Sequence, residues 1–253
     1  MATSERVRSE LGAAMSGATS ARTAADQLCH ACVGLLDVDG ASVSLAFEGA
    51  NRGTFGSSGE LSRRLDELQF TYGEGPCLDA VRDGAPVLVP DLDDPSDTRW
   101  PALTRALLDA GVSAVFALPV TMSQRHVGAL DLFRNRRGPL SEQALDGGLL
   151  AAELAALPLL DMLAEHQAED WDAGGRDGWT ELSSIQRVEV YQATGMIMAA
   201  LDVDSAEALI RLRAHAFASN LTAQEVAWAI VERRLPLDSP DWRDPSGSVG
   251  PSQ

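Results

Sequence analysis

The sequence predicts an α+β domain, a sheet with helices on its faces, followed by an all-α three-helix bundle. Three observations carry this reading. Short strand-like runs, several of them set around tight turns, mix with helical patterns over residues 40–136 without the strict alternation of a parallel sheet. A break rich in Gly and Asp, "AEDWDAGGRDGWTE", follows a long Ala/Leu pattern and sets off the tail. Beyond it lie three helical patterns, two of which open on recognisable caps.

Taken in order, the chain opens with a helical pattern from Glu5 to Leu36, in which Ala25, Leu28, Cys32 and Leu35 share one face. "GASVSLAFEGANRGTFGSSG" reads as two strands around a Gly-Ala-Asn turn, with Val43, Leu45 and Phe47 alternating against Ser42, Ser44 and Ala46. "ELSRRLDELQ" is a short helix, and "FTYGEGPCLDAVRDG" a turn into another. "APVLVPDL" is a short buried strand, and "RWPALTRALLDAG" a helix stopped by Gly111. "VSAVFALPVTMSQRHVGALDLFRNR" holds two strands around Ser123-Gln124. From Ser141 to Gln167 runs one long helix, with Leu145, Leu149, Ala152, Ala156 and Leu159 near one stripe and a kink expected at Pro158.

In the tail the first helix spans Ser183 to Leu201. The second starts at Asp204 as N-cap with Glu207 three residues on, and the third at Thr222 with Glu225 closing a capping box and Leu221 stapled to Val226. Pro236 is expected to stop the third helix. The domains are therefore an N-terminal helical extension (1–20), the α+β domain with its long C-terminal helix (21–167), a linker (168–182), the three-helix domain (183–236) and a disordered tail (237–253).

The formal net charge is −17, and every basic residue is Arg. Such a balance opposes non-specific nucleic-acid binding, so any RNA or DNA contact must come from a local patch. No apolar run comes close to the roughly 18–20 residues of a membrane helix, and the N-terminus lacks the layout of a signal peptide. A cytoplasmic protein without membrane contact is expected. The cysteines Cys29, Cys32 and Cys77 are too few and too clustered for a disulfide framework.

Several motifs have a plain structural reading. "CHAC" has no second Cys/His cluster to complete a metal site, and its thiols fit a core helix face. The acidic run Asp91–Asp97 lacks the Gly and Glu of a calcium loop. The four His lack the partners of a catalytic triad, so no catalytic residue and no metal site is assigned. "GEGPC" is not a phosphate loop of the Walker type. It is either a structural turn with Pro76 opening a helix, or a loop at the mouth of a ligand pocket, with Gly73, Gly75 and Cys77 as candidates.

The tail carries more. Projected at about 3.6 residues per turn, Val190, Ala193, Ile197 and Leu201 form a core stripe. Arg187, Tyr191, Gly195 and Met198 form a neighbouring one, with Val188, Gln192 and Ala199 beyond it. A helix apolar on two faces has a second partner. On the next helix Ala208, Leu212 and Ala216 face the core, and Arg211 and His215 share another side. A small dimerisation module is the plain alternative.

At these residues the tail resembles an ANTAR domain, the RNA-binding output module of transcription antitermination regulators. The resemblance rests on Arg187, Val190, Ala193, Gly195, Ile197, Met198, Ala208, Leu212, Arg213, Ala216, Ala227 and Ile230. The segment from Ala21 to Leu160, with "GEGPCLDAVRDGAPVLVPDL" and "VGALDLF", resembles a GAF sensor domain of the actinobacterial GAF–ANTAR type, with a GAF-type antiparallel sheet.

The resemblance implies a homodimeric, signal-responsive regulator that binds stem-loop RNA and is not an enzyme. It implies RNA contacts by Arg187, Tyr191, Gln192, Thr194, Gly195, Arg211, Arg213 and His215, and a small-molecule ligand at the GAF domain whose identity, like any cofactor, is unknown. The family often has Lys where this chain has Thr194, and Asp and Glu slightly outnumber Arg between Glu181 and Arg234, so dimerisation must supply part of the affinity. The expected signal path alters the pairing of the 141–167 helix. The rivals are a protein-interaction module without RNA binding and a thiol-dependent GAF-type reductase, which would need an accessible, low-pKa cysteine.

Overall fold

The computed structural model describes residues 2–47, 50–169, 187–237 and 242. It divides into two units, Met1–Gln186 and Arg187–Gln253.

In the first unit α1 (Ala2–Met15) and α2 (Ala21–Leu35) replace the single expected helix. Gly17 takes a positive φ of 85°, and Ser20 then caps α2 through the Thr23 N–H. Ala25, Leu28 and Cys32 are buried as expected, and Leu35 is half-buried. β1 (Gly40–Phe47) and β2 (Ala50–Ser57) pair antiparallel. Ala50 and Asn51, expected in the turn, already belong to β2, and the remaining turn positions 48–49 lie outside the described residues.

α3 (Glu60–Tyr72) runs beyond its expected end and absorbs "FTY", stopping where Gly73 adopts φ 67°. α4 (Pro76–Asp83) has Pro76 in its first turn. β3 (Val87–Val89) exposes Leu88, as an edge strand does. α5 (Pro101–Asp109) ends just before Gly111. β4 (Ala114–Met122) and β5 (Arg125–Arg134) form a hairpin in which Ser123 and Gln124 both have positive φ, the signature of a type I′ turn. α6 (Glu142–Glu169) continues through Pro158.

The five strands form one antiparallel sheet in the order β2-β1-β5-β4-β3. α2 and α6 cover one face, over Val43, Leu45, Phe116, Leu118 and Leu130, and α1 packs on these two helices. The opposite face meets α3, α4 and α5 through Leu65, Leu68, Ala80, Leu103, Val115 and Phe133. Both faces of β1 are thus buried, so its alternation separates an apolar face from a polar but equally enclosed one, with Ser42 and Ser44 fully buried.

The segment Glu142–Asp161 has a mean hydropathy of 1.3 and is long enough to cross a membrane, contrary to the expectation that no run comes close. Yet 56% of its most apolar window is buried in the protein. Its hydropathy is accounted for by packing on the sheet, where Gly148 brings it against Leu118 and Leu132.

In the second unit α7 (Val188–Leu201), α8 (Ser205–Ala218) and α9 (Ala223–Val231) enclose Val190, Ala193, Ile197, Ala208, Leu212, Ala216, Val226, Ala227 and Ile230. Asp204 caps α8 through the Glu207 N–H. Thr222 and Glu225 form the expected reciprocal box. α9 stops at Val231, short of Pro236, and Arg233 follows with φ 58°. The expected start of α7 at Ser183 falls outside the described residues, as does most of the expected linker.

A Cβ on Gly128 would run into the Ser44 carbonyl oxygen, and one on Gly56 would lie 2.7 Å from the Ala25 carbonyl carbon. Both obstacles are backbone. Gly128→Ala and Gly56→Ala should each destabilise the first unit by about 1–3 kcal/mol or more in urea unfolding. An unchanged midpoint would mean that the strand and helix are not held this close.

Candidate nucleic-acid interface and sensor core

On the α3/α4 side of the sheet, a buried polar cluster fills the space below the Gly73–Cys77 turn. Ser44 Oγ hydrogen-bonds Asp66 and lies 3.4 Å from Asp131 Oδ2. Thr54 Oγ1 donates to Asp66 Oδ2 at 2.6 Å, and Gln69 Nε2 to Asp131 Oδ2 at 2.9 Å. Burial, then the charge of Asp66, pushes the Asp131 carboxyl up from 3.8 to about 8. Asp131 is therefore neutral at pH 7, which lets two carboxyl groups share one enclosed site. Its Oδ1 has no hydrogen-bond partner among the described residues.

The turn itself is closed. The Cys77 N–H, which the pocket reading would turn toward a ligand, donates to Gln69 Oε1 at 2.9 Å. Gly75 sits so tightly that a Cβ would lie 2.6 Å from Gln69 Oε1, and Gly73 caps α3. The structural reading of "GEGPC" is thus the one its hydrogen bonds favour. Asp66, Asp131, Ser44, Thr54 and Gln69 were not singled out from the sequence. The available signal was an Asp in the middle of the apolar run "VGALDLF".

Cys29, Cys32 and Cys77 are all buried. Burial pushes the Cys32 thiol up to about 12 and raises Cys29 and Cys77 well above their ordinary value. The acidic loop uses its carboxylates locally: Asp91 and Asp93 pair with Arg137, Asp97 with Arg99, and Asp94 with Ser96. Among the described residues no cluster of three His, Cys, Asp or Glu fit for a metal ion occurs.

The helical unit sorts the expected RNA residues into three groups. Tyr191, Gln192 and Gly195 lie together on the exposed side of α7, beside exposed Val188 and Ala199. A Cβ on Gly195 would meet nothing within 4 Å. Arg187 corrects the helical projection, which set it beside Tyr191, and Thr194 departs from the RNA contact that the resemblance implied: they are only 4% and 8% exposed. Arg187 is the N-cap of α7, and Thr194 Oγ1 donates to the Val190 carbonyl at 2.6 Å, which satisfies its hydroxyl inside the bundle. Arg213 is half-buried, and burial together with the nearby Arg187 guanidinium lowers it to about 10.

Arg211 and His215 share a side as expected, but that side is covered. Arg211 pairs with Glu207 and donates from Nη1 to the Trp242 carbonyl at 2.6 Å. The His215 and Trp242 rings stack with centroids 4.5 Å apart and 6° between planes. Trp242 falls in the stretch expected to be disordered, yet it is 1% exposed.

Two predictions follow from this chemistry. The folded carboxyl of Asp131 holds its proton to about pH 8, whereas the unfolded one loses it near 3.8. Its contribution to stability is complete below about pH 4 and falls as pH rises to about 8. Urea unfolding of Asp131→Asn should show a flatter decline over that window than the parent, and an identical slope would place the proton elsewhere. For the thiols, an aromatic disulfide reagent at neutral pH should label the native chain slowly and all three cysteines at once after unfolding. Rapid native labelling would contradict their enclosure.

The GAF domain family matches residues 18–157, and the ANTAR domain family matches residues 185–231. No curated protein matches the sequence. Among solved structures, the GAF domain of a phosphoenolpyruvate-protein phosphotransferase from Coxiella burnetii is 14% identical with a TM-score of 0.51, covering 66% of this chain and 98% of that one. The free methionine-R-sulfoxide reductase from Neisseria meningitidis, in complex with its substrate, is 16% identical with a TM-score of 0.47, covering 65% and 91%. At such identities the first match speaks for the fold alone, and the second carries no argument. The chain belongs to the GAF domain family and carries an ANTAR domain behind it, the GAF–ANTAR architecture of signal-responsive antitermination regulators.

Proposed function

We propose that this protein is a cytoplasmic regulator that promotes transcription antitermination by binding stem-loop RNA as a homodimer through its ANTAR domain. The observation that carries the reading is the exposed side of α7, where Val188, Tyr191, Gln192, Gly195 and Ala199 lie together on an ANTAR domain. Tyr191 offers an aromatic face for an unpaired loop base, and Gly195 leaves room for a backbone to approach. With a net charge of −17, affinity comes from such stacking and from two copies acting together more than from long-range attraction. The input is a small molecule or another signal acting on the GAF domain. The unpartnered Asp131 Oδ1 makes the polar cluster beneath α3 and α4 the place to look for it.

The exposed Val188, Ile210, Phe217 and Trp228 support a second reading, a module that binds protein and not RNA. The thiol-reductase reading has buried, high-pKa cysteines against it.

Filter binding to a pool of hairpin RNAs across a salt series separates the two main readings. Tyr191→Ala should weaken binding about tenfold, the worth of one stacked base. Gly195→Leu should abolish binding without lowering the melting temperature, since its side chain enters open space and a Gly in mid-helix is itself unfavourable. Arg187→Ala should act chiefly by destabilising the bundle. Absence of RNA binding by the parent chain would favour the protein-binding reading.

A further inference from the structure

The His215–Trp242 stack sets a half-buried imidazole against a fully buried indole. His215 lies on α8 beside Arg211, one turn apart. Together they present a flat ring and a guanidinium whose Nη1 already donates to a carbonyl oxygen. A planar ring over an imidazole, with a carbonyl within reach of Arg, is what an unpaired base of RNA would also supply. The present occupant comes from the chain itself, outside the region matched by the ANTAR family.

Trp242 fits this place imperfectly. It is 1% exposed, yet its indole Nε1 has no hydrogen-bond partner among the described residues. A buried donor without an acceptor costs free energy that the exposed indole would not bear. The contact is therefore strong in area and weak in polar complementarity, the balance expected of a group that can be displaced. A base with its own ring donors and acceptors can take the stacking without that cost.

We propose that His215 and Arg211 form a base-stacking subsite and that Trp242 occupies it as an internal competitor, so that stem-loop RNA must displace Trp242 to bind in full. This inference rests on the RNA-binding reading above. Trp242 then acts as a brake on affinity: a site filled most of the time by its own chain shows an apparent affinity reduced by the fraction that stands open.

The test uses the full chain and the hairpin RNA pool. Trp242→Ala should bind RNA about 3- to 10-fold more tightly than the parent, and His215→Ala should bind more weakly even when combined with Trp242→Ala. Circular dichroism checks that the bundle persists. If Trp242→Ala does not fold, Trp242→Leu keeps apolar bulk without a ring to stack on His215 and should raise affinity by a lesser factor. Equal or weaker binding by the folded Trp242 variant, with the parent still binding, overturns the competitor and leaves the RNA reading in place. Binding by neither parent nor variants removes both.

Discussion

β1 and β5 are buried on both faces, and the rest of the sensor unit follows from that constraint. A sheet with one wet face could leave Ser42, Ser44 and Asp131 to water. Here α3 and α4 close over them, so each polar group must find a partner inside the protein or stay neutral. Asp131 does the latter, while Ser44, Thr54 and Gln69 provide most of the hydrogen bonds. The same double cover dictates where side chains are forbidden. Gly128 lies against the backbone of β1, Gly56 against α2, and Gly148 against Leu118 beneath α6.

The helical unit is built on a different balance. It has a small core rich in Ala, which lets helices approach closely but buries little area per residue. Caps therefore matter: Asp204 and the Thr222–Glu225 box satisfy amide groups at the helix starts that would otherwise lack partners. The exposed side of α7 is left apolar and open around Gly195. A Gly in mid-helix costs about 1 kcal/mol relative to Ala. No packing neighbour accounts for that cost in the single chain, which is what gives the position its functional interest.

Local signals were legible in the sequence wherever chemistry alone settles the matter. The Thr222 box, the Asp204 cap, the Ser123-Gln124 turn and Gly111 at a helix end depend on a few adjacent residues, whereas the end of α3 at Gly73 was missed. The core stripe of α7 was also legible, because Val190, Ala193 and Ile197 recur at helical spacing. What failed was the assignment of the remaining faces. Arg187 projects beside Tyr191 and Gly195, but a helix apolar on most sides does not say which side meets its neighbours. The roles of Asp131 and Trp242 depend on contacts 65 and 27 residues away in sequence, to Asp66 and His215, and no local pattern encodes those. The break between α1 and α2 was hidden because Ala-rich sequence on both sides reads as helix.

The central claim is that the exposed side of α7 is the surface that meets RNA. Hydroxyl-radical footprinting of the full chain, with and without the hairpin RNA that it binds best, tests it most directly. The account predicts that Tyr191, exposed in the free chain, becomes protected by RNA, while Val190 and Ile197 in the core stay unreactive in both states. Protection confined to other surfaces, with Tyr191 as reactive in the complex as in the free chain, would contradict it.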